Sequence, residues 1–106
     1  MYKRERPTPE EEIARIKLPR GNQTFGIVLE LLGSSKMRVE CEDEKPRICR
    51  IPGRLRRRMW VRPGDLIIVE PWEVQGHERG DVIWKYTRTQ ANWLNRNKKF
   101  SKIIYG

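Results

Sequence analysis

The sequence is short and basic: its 106 residues include 23 Lys plus Arg against 14 Asp plus Glu, a formal net charge of +9. That length predicts one ordinary domain and excludes a large multidomain protein. With 37% apolar and 35% charged residues, the composition excludes a fully disordered chain, and the basic excess favours a polyanionic partner, most commonly nucleic acid.

The first twenty residues precede the predicted domain and contain three prolines. Thr8 can cap a short helix together with Glu11, and Pro9 suits the first helical position. An extended arm fits the same composition. We therefore assign residues 1–20 to a basic, mobile N-terminal arm and leave both conformations open.

Three strands are predicted in the first half of the domain. From Thr24, every second residue is large and apolar: Phe25, Ile27, Leu29 and Leu31. This alternation is typical of a half-buried strand. A second strand over residues 37–42 alternates apolar with charged positions, and a third covers residues 47–52. Cys41 and Cys49 are expected to point inward from them as core thiols.

Two further strands are predicted in the second half. Pro63 and Gly64 form a turn signature before residues 66–70, an apolar run short enough to be a strand buried on both faces. After a polar loop, residues 81–87 form the fifth strand, and Thr89 can cap a short helix.

Five short strands interrupted between the third and fourth predict an all-β fold, a five-stranded OB-fold Greek-key barrel over residues 21–88. We expect a short helical turn in the interruption. Residues 89–106 are expected to form a short helix and a basic C-terminal tail.

The interruption carries the densest charge. Residues 54–62 hold five arginines and no acid, whereas residues 21–53 sum to zero and residues 63–87 to −3. Residues 88–106 add five basic residues and no acidic one. Charge that serves solubility is normally interspersed with opposite charge, so this clustering indicates a binding surface.

If residues 54–60 form a helical turn or two, Leu55 and Met59 cover the barrel and the arginines face outward. Guanidinium groups bind phosphate through their fork of donors, and Trp60 can stack on a base. The alternative is a solvated turn with Trp60 buried in the core. Self-repulsion among arginines that no acid neutralises disfavours it.

No motif for catalysis or metal binding stands out. One His and two Cys are too few for a zinc site, and residues 40–44 lack the spacing of a calcium loop. His77 is expected in an exposed loop, and Trp72, Trp84 and Trp93 at the core or its edge. There is no phosphate loop and no activated nucleophile. We expect no enzyme activity, no cofactor and no metal.

No apolar run approaches the roughly 20 residues that span a bilayer, and the first residues lack the apolar stretch of a signal peptide. We therefore expect a cytoplasmic protein with no membrane partner. Nothing in the sequence signals an oligomer, so a monomer is the default.

Several stretches resemble the translation initiation factor 1A family. They are residues 23–33, 37–41, 50–61, 64–69 and 81–86. The most specific are Ile-Pro-Gly-Arg-Leu-Arg-Arg-Arg-Met-Trp, from position 51, and Asp-Val-Ile-Trp-Lys-Tyr, from position 81. The resemblance covers about residues 21–88 and implies the same OB fold.

The resemblance implies a factor that binds the small ribosomal subunit at the decoding (A) site through rRNA and promotes initiator tRNA and mRNA loading. Implied partners are small-subunit rRNA, initiator tRNA and mRNA indirectly, and other initiation factors, including the subunit-joining GTPase. Eukaryotic relatives carry a long acidic tail, whereas residues 88–106 are basic. The chain therefore resembles the archaeal form, and tail contacts with that GTPase are not expected to carry over.

The family's RNA contacts lie in the basic loop after the third strand and on the neighbouring barrel face. Carried over to this sequence, they imply these RNA-binding residues: Arg54, Arg56, Arg57, Arg58 and Trp60. Strand parity and loop position add Arg50, Arg38 and Lys36.

Two other functions remain open. A general single-stranded RNA-binding protein or RNA chaperone of the cold-shock type is also built on an OB barrel. It would need exposed aromatic residues on the second and third strands, and residues 37–51 contain none. A structural ribosomal protein would share the basic surface but remain on mature subunits.

Overall fold

The computed structural model describes residues 7–56 and 59–97. Its elements, in chain order, are helix α1 (Pro9–Ala14), strands β1 (Thr24–Gly33), β2 (Lys36–Cys41) and β3 (Pro46–Arg50), a 3-10 turn (Gly53–Leu55), strands β4 (Leu66–Pro71) and β5 (Arg79–Lys85), and helix α2 (Arg88–Arg96). Arg57 and Arg58, residues 1–6 and the predicted tail beyond residue 97 lie outside the described residues.

The five strands form one closed barrel. Their order around it is β1, β2, β3, β5, β4, and β4 pairs with β1 to close the ring. Every neighbouring pair is antiparallel except β3 and β5, which run parallel. This confirms the predicted five-stranded OB-fold barrel with its interruption between the third and fourth strands.

Apolar side chains fill the barrel interior. Met37, Val39 and Cys49 are almost completely buried there, together with Cys41. A Cβ atom at Gly26 would lie 2.5 Å from Cγ1 of Val39, so only glycine fits that position of β1. Burial raises the pKa of the Cys49 thiol to about 12, and it raises the pKa of Cys41 as well. The cysteines are core thiols, as predicted.

A second apolar cluster lies between the outer wall of the barrel and α2. Its members are Phe25, Ile27, Leu66, Ile68, Tyr86, Ala91 and Leu94. Neighbouring positions of β4 serve different clusters, since Ile67 and Val69 face the interior and Leu66 and Ile68 face α2. The prediction that the fourth strand is buried on both faces is confirmed.

The second half of β1 departs from the predicted alternation. Leu29 and Leu31 are 47% and 52% exposed, although their parity matches that of buried Phe25. The β1–β2 ladder shifts register between Val28 and Glu30, which makes Leu29 the extra residue of a β-bulge. In addition, β4 pairs with β1 only over residues 24–27. The pattern identified the strand, but the apolar cluster beneath α2 ends before Leu29.

Both helices begin with a capping box. In α1, the backbone N–H of Glu11 donates to Oγ1 of Thr8 at 3.2 Å, and the N–H of Thr8 donates to Glu11 Oε1 at 2.9 Å. The predicted cap of the second helix at Thr89 is wrong: Thr87 caps α2, because Gln90 stands three positions later and returns the hydrogen bond. Across the described part of the chain, neither helix is long and apolar enough to cross a membrane.

The segment around α1 packs against the barrel and α2. The hydroxyl of Tyr86 donates to the backbone oxygen of Lys17, and Nε2 of Gln90 donates to the backbone oxygen of Glu12 at 2.8 Å. The side chain of Ile16 packs against the outer cluster. Of the two conformations left open for this segment, the helical one is found over Pro9–Ala14. The division into arm, barrel and tail remains a prediction.

One charged side chain is buried beneath the loop before β5. Arg47 of β3 has a side chain only 3% exposed, and it makes a two-pronged ion pair with Asp43 at 2.8 and 3.0 Å. Its Nε also donates to the backbone oxygen of Gly76 at 2.6 Å. Burial alone would raise the pKa of Asp43, but the hydrogen bonds from Arg47 and the backbone of Lys45 lower it below its ordinary value.

The Asp43→Asn substitution should lower the free energy of unfolding by about 1–3 kcal/mol at neutral pH, because it leaves the Arg47 guanidinium buried with a neutral partner. Since the pKa of Asp43 is lower in the folded state, its stabilisation is present above the ordinary aspartate value near 3.9. It is lost as the pH falls through the lowered value.

Urea unfolding of both proteins at neutral pH and at acid pH measures the effect, and the difference between them should shrink in acid. The exposed carboxylate substitution Glu73→Gln is the control and should leave stability within about 0.5 kcal/mol. Equal stability of Asp43→Asn and the parent protein at neutral pH would contradict the assigned role.

Candidate nucleic-acid interface

The basic stretch begins where β3 ends and is anchored by apolar side chains on both sides. Leu55, in the 3-10 turn, packs against the interior cluster, and Met59 is a member of that cluster. These positions confirm that both residues cover the barrel, although the observed turn is a single 3-10 turn. Arg54 precedes Leu55, Arg56 follows it, and both are exposed. The anchors thus hold this stretch against the barrel, and its described arginines, Arg54 and Arg56, face solvent.

Trp60 projects from the end of this stretch and is 78% exposed. The alternative in which its ring is buried in the core is therefore wrong. Its backbone oxygen accepts a hydrogen bond from Nζ of Lys85, which also forms an ion pair with Asp65 at 3.3 Å. The backbone is fixed while the indole ring stands in solvent, which is the arrangement required of a stacking platform.

A groove of about 260 Å³ separates the β1–β2 hairpin from the basic stretch; we call it the hairpin groove. Met37, Ile51 and Met59 contribute apolar surface to its lining, with Lys36 and Arg56 as its cations. Trp60 also lines it. The groove combines an apolar lining with two positive charges and one exposed aromatic ring.

A larger groove of about 610 Å³, the helix groove, lies between the barrel and the start of α2. Trp60 lines this groove too, together with Arg62 and Arg88. Neither arginine forms an ion pair with a carboxylate among residues 7–56 and 59–97. Trp60 therefore stands between two cationic grooves.

A third groove, of about 320 Å³, lies beside β3 and is lined by Lys36, Arg50, Arg79 and Trp72; we call it the β3 groove. Nε of Arg50 is 3.1 Å from Oδ1 of Asp81, and its guanidinium lies 4.9 Å from the centroid of the Trp72 ring. Lys36 lines this groove and the hairpin groove. The three grooves therefore join at Trp60 and Lys36, and together with the 3-10 turn they form what we call the basic surface.

The predicted site residues divide into three groups. Lys36, Arg56 and Trp60 meet in the hairpin groove, with Arg54 exposed on the adjoining 3-10 turn. The second group, Arg50 and Arg38, is paired with carboxylates. Arg50 lies in the β3 groove and pairs with Asp81. Arg38 is held by Glu30 at 3.3 Å and lines none of the three grooves. The third group, Arg57 and Arg58, lies outside the described residues.

Sequence reasoning missed four cations of the basic surface, one of which, Lys85 in the helix groove, is paired with Asp65. Arg62 was counted in the basic stretch but not assigned to the site, although it lies only two positions after Trp60. Arg88 reaches the helix groove because α2 starts one residue after Thr87, and Arg79 reaches the β3 groove through the parallel pairing of β3 and β5. Neither neighbourhood is readable from the local sequence.

The histidine and the three other tryptophans singled out in the sequence lie outside the basic stretch. His77 lies in an exposed turn, as predicted. Trp72, Trp84 and Trp93 are each partly buried, which agrees with positions at the edge of the core. Among the residues that the structure describes, no three His, Cys, Asp or Glu side chains are grouped closely enough to hold a metal ion.

A closed five-stranded barrel with a basic loop after its third strand defines a small OB-fold protein with a cationic surface. The sequence model of one family, described as translation initiation factor 1A / IF-1, matches residues 4–104. The chain belongs to this family.

Archaeal relatives are similar over almost the whole chain. Translation initiation factor 1A of Pyrococcus abyssi is 53% identical over 102 residues, which are 96% of this chain and 90% of the relative. The factor of Thermococcus kodakarensis is 49% identical over 94% of this chain and 87% of its own. That of Methanopyrus kandleri is 45% identical over 90% and 85%. These names describe factors of translation initiation and not enzymes.

Solved structures agree with the barrel. The solution structure of translation initiation factor 1 from the Wolbachia endosymbiont of Brugia malayi matches with a TM-score of 0.50 and 27% identity, over 65% of this chain and 82% of that one. YjeQ from Thermotoga maritima matches with a TM-score of 0.51 over 62% of this chain and 23% of that one. At 24% identity the second likeness concerns the fold alone.

Truncation of two neighbouring residues of the candidate interface should have very different effects on stability. Met59→Ala removes a side chain buried in the barrel interior and should lower the free energy of unfolding by about 2–4 kcal/mol. Trp60→Ala removes an exposed ring and should change it by less than about 0.5 kcal/mol. Chemical denaturation followed by circular dichroism measures both. A large loss of stability in the Trp60 variant would show that its ring is part of the core.

Proposed function

We propose that this chain acts in translation initiation by binding the small ribosomal subunit at its decoding (A) site, with the basic surface placed against rRNA. The observation that carries the proposal is the position of Trp60, an exposed ring between two cationic grooves in a member of this family. Phosphates of folded RNA match the guanidinium groups, and an unstacked base matches the ring.

The mechanism is steric occupation combined with electrostatic grip. A barrel of this size held in the decoding site excludes other ligands from it, while arginines bind phosphates on either side. Arg54, Arg56, Arg62 and Arg88 supply the grip among the described residues, with Lys36 between two grooves. Initiator tRNA and mRNA loading follow indirectly, because the subunit is kept in a state that accepts them. Other initiation factors, including the subunit-joining GTPase, are proposed partners of the bound form.

Arg38 and Arg50 have a secondary role in this proposal. Each is about half exposed and forms a surface ion pair, and such pairs contribute only about 0–1 kcal/mol. A phosphate can therefore replace the carboxylate of Glu30 or Asp81 at little cost. Their substitution should weaken RNA binding less than that of Arg54, Arg56, Arg62 and Arg88, which form no ion pair with a carboxylate of the described residues.

Chemical footprinting of small-subunit rRNA with and without the protein tests the proposed site. Protection confined to the decoding region supports it. Diffuse protection would favour a general single-stranded RNA binder, and co-sedimentation with fully assembled ribosomes would favour a structural ribosomal protein. Trp60→Ala should lose protection at the base that contacts the ring and retain it elsewhere.

Replacing Arg57 and Arg58 with Ala should weaken small-subunit binding about tenfold or more, since each substitution removes a proposed phosphate contact. The matched control replaces Arg15 and Arg96, which removes the same charge far along the chain from the basic stretch and should weaken binding much less. Both double variants should melt within a few degrees of the parent protein. Equal losses of affinity in the two variants would contradict a specific role for Arg57 and Arg58 and would indicate that binding depends on net charge alone.

The salt dependence of binding counts the phosphates. If about four are neutralised, the slope of log K against log salt should be about −3, and about −1.4 in the variant lacking Arg57 and Arg58, at about −0.7 per contact. Titrations at a series of potassium chloride concentrations give both slopes. A slope near zero in the parent protein would mean that the basic surface is not the contact surface.

A further inference from the structure

A large groove lies apart from the basic surface, between the segment that follows α1 and the outer faces of β4 and β5. It measures about 690 Å³, and we call it the arm groove. Ile16, Ile68 and Ile83 give it apolar walls, and Leu18, about half exposed, adds to them. None of its lining residues lines the hairpin, helix or β3 groove. A ligand in it would leave the basic surface free.

The polar part of the lining consists of two cations, Lys17 and Arg20, and the amide of Gln23. Lys17 and Arg20 have no carboxylate partner within the described ranges. The nearby amide of Gln23 is engaged, since its Nε2 donates to Oε1 of Glu70 at 3.0 Å. The groove therefore has apolar walls and unneutralised positive charge.

Trp84 contributes a buried donor without an acceptor. Its indole Nε1 is the one buried side-chain nitrogen or oxygen atom of the described chain that has no hydrogen-bond partner. A buried N–H left unpaired is costly, and native structures rarely leave one so. Nζ of Lys17 lies 4.3 Å from the centroid of this ring. Because a lysine side chain is long and flexible, Lys17 can leave the ring face when its ammonium pairs with a ligand.

We propose that the arm groove binds an acidic, apolar peptide segment of a partner protein. Aliphatic side chains of the segment pack between Ile16, Ile68 and Ile83, and its carboxylates pair with Lys17 and Arg20. An oxygen acceptor of the segment takes the hydrogen bond that Nε1 of Trp84 lacks. The bound peptide also ties residues 16–20 to the barrel, because both sides of the groove contact it.

The groove lining favours a peptide over RNA. Four aliphatic side chains offer no hydrogen bonds to the polar edges of a base, which would lose bonds to water on entering. They do match leucine or isoleucine side chains, whose burial is favourable. Phosphate recognition requires a denser set of donors than Lys17 and Arg20 provide, and this protein has such a set on its basic surface.

Nuclear magnetic resonance provides a direct test on the full chain. The probe is an acetylated, amidated hexapeptide of alternating leucine and glutamate, and the control is the same peptide with lysine in place of glutamate. The Trp84→Phe variant assigns the indole resonance. The acidic peptide at millimolar concentration should move the Trp84 indole N–H resonance downfield, as expected for a new hydrogen bond, and the basic peptide should not.

Substitutions then separate this groove from the basic surface. The Lys17→Gln, Arg20→Gln double variant should weaken acidic-peptide binding about fivefold, and Trp84→Phe should weaken it about tenfold, followed by backbone amide shifts around the groove. The matched control, Lys36→Gln with Arg54→Gln, removes the same charge from the basic surface. It should leave peptide binding within twofold while weakening RNA binding.

Four outcomes would overturn the proposal. Three concern the indole resonance: no shift at millimolar acidic peptide, equal shifts with both peptides, and a shift produced by a uridine hexanucleotide but not by the acidic peptide. The fourth is a double variant at Lys17 and Arg20 that folds normally yet binds the acidic peptide as the parent does. These results would not bear on the proposed rRNA contact, which is tested with small subunits and the basic-surface variants.

Discussion

The filled interior of the closed barrel is the constraint on which the rest of the structure depends. Methyl groups of Val39 and Val69 approach so closely that a side chain at Gly26 or Gly80 would collide with them. No polar or charged group fits in such a space, so the strands must direct their charges outward or place them at the barrel ends. Arg47 is the exception, and it is buried only with Asp43 and a backbone carbonyl as partners.

That constraint also determines where a run of arginines can lie. Within β2, β3 and β5 a charged residue is tolerated at every second position, which spaces charges apart along the strand. The break between β3 and β4 is free of the ladder and can carry arginines in succession. Leu55 and Met59 attach this break to the core, and Arg56 lies with Trp60 in the hairpin groove. The mutual repulsion of the arginines is relieved when an anion is bound.

Much of this organisation could be predicted from the sequence, because it depends on local patterns. Alternation identified β1 and β2, a short apolar run identified β4, and the spacing of Leu55 and Met59 gave their inward direction. The same alternation failed at Leu29 and Leu31, because the bulge and the reach of α2 are set by tertiary packing. The helix cap was misplaced by two residues because the decisive partner, Gln90, was not considered.

The candidate site was predictable in its centre and not at its margins. Consecutive arginines beside a tryptophan are a local signal, so Arg54, Arg56 and Trp60 were found. The contribution of Arg79 depends on the parallel contact between β3 and β5, which joins residues about thirty positions apart. The pairing of Arg50 with Asp81 depends on the same contact. Long-range pairings of this kind leave no periodic trace in a single sequence.

The attachment of the N-terminal segment has an evolutionary consequence. Tyr86 and Gln90 hold this segment through the main-chain oxygens of Lys17 and Glu12, which every amino acid possesses. The side chains that determine where the N-terminal segment docks therefore belong mainly to the barrel and α2. Residues of the segment that face solvent are free to drift between species without detaching it, so its sequence can adapt to new partners while its position is inherited.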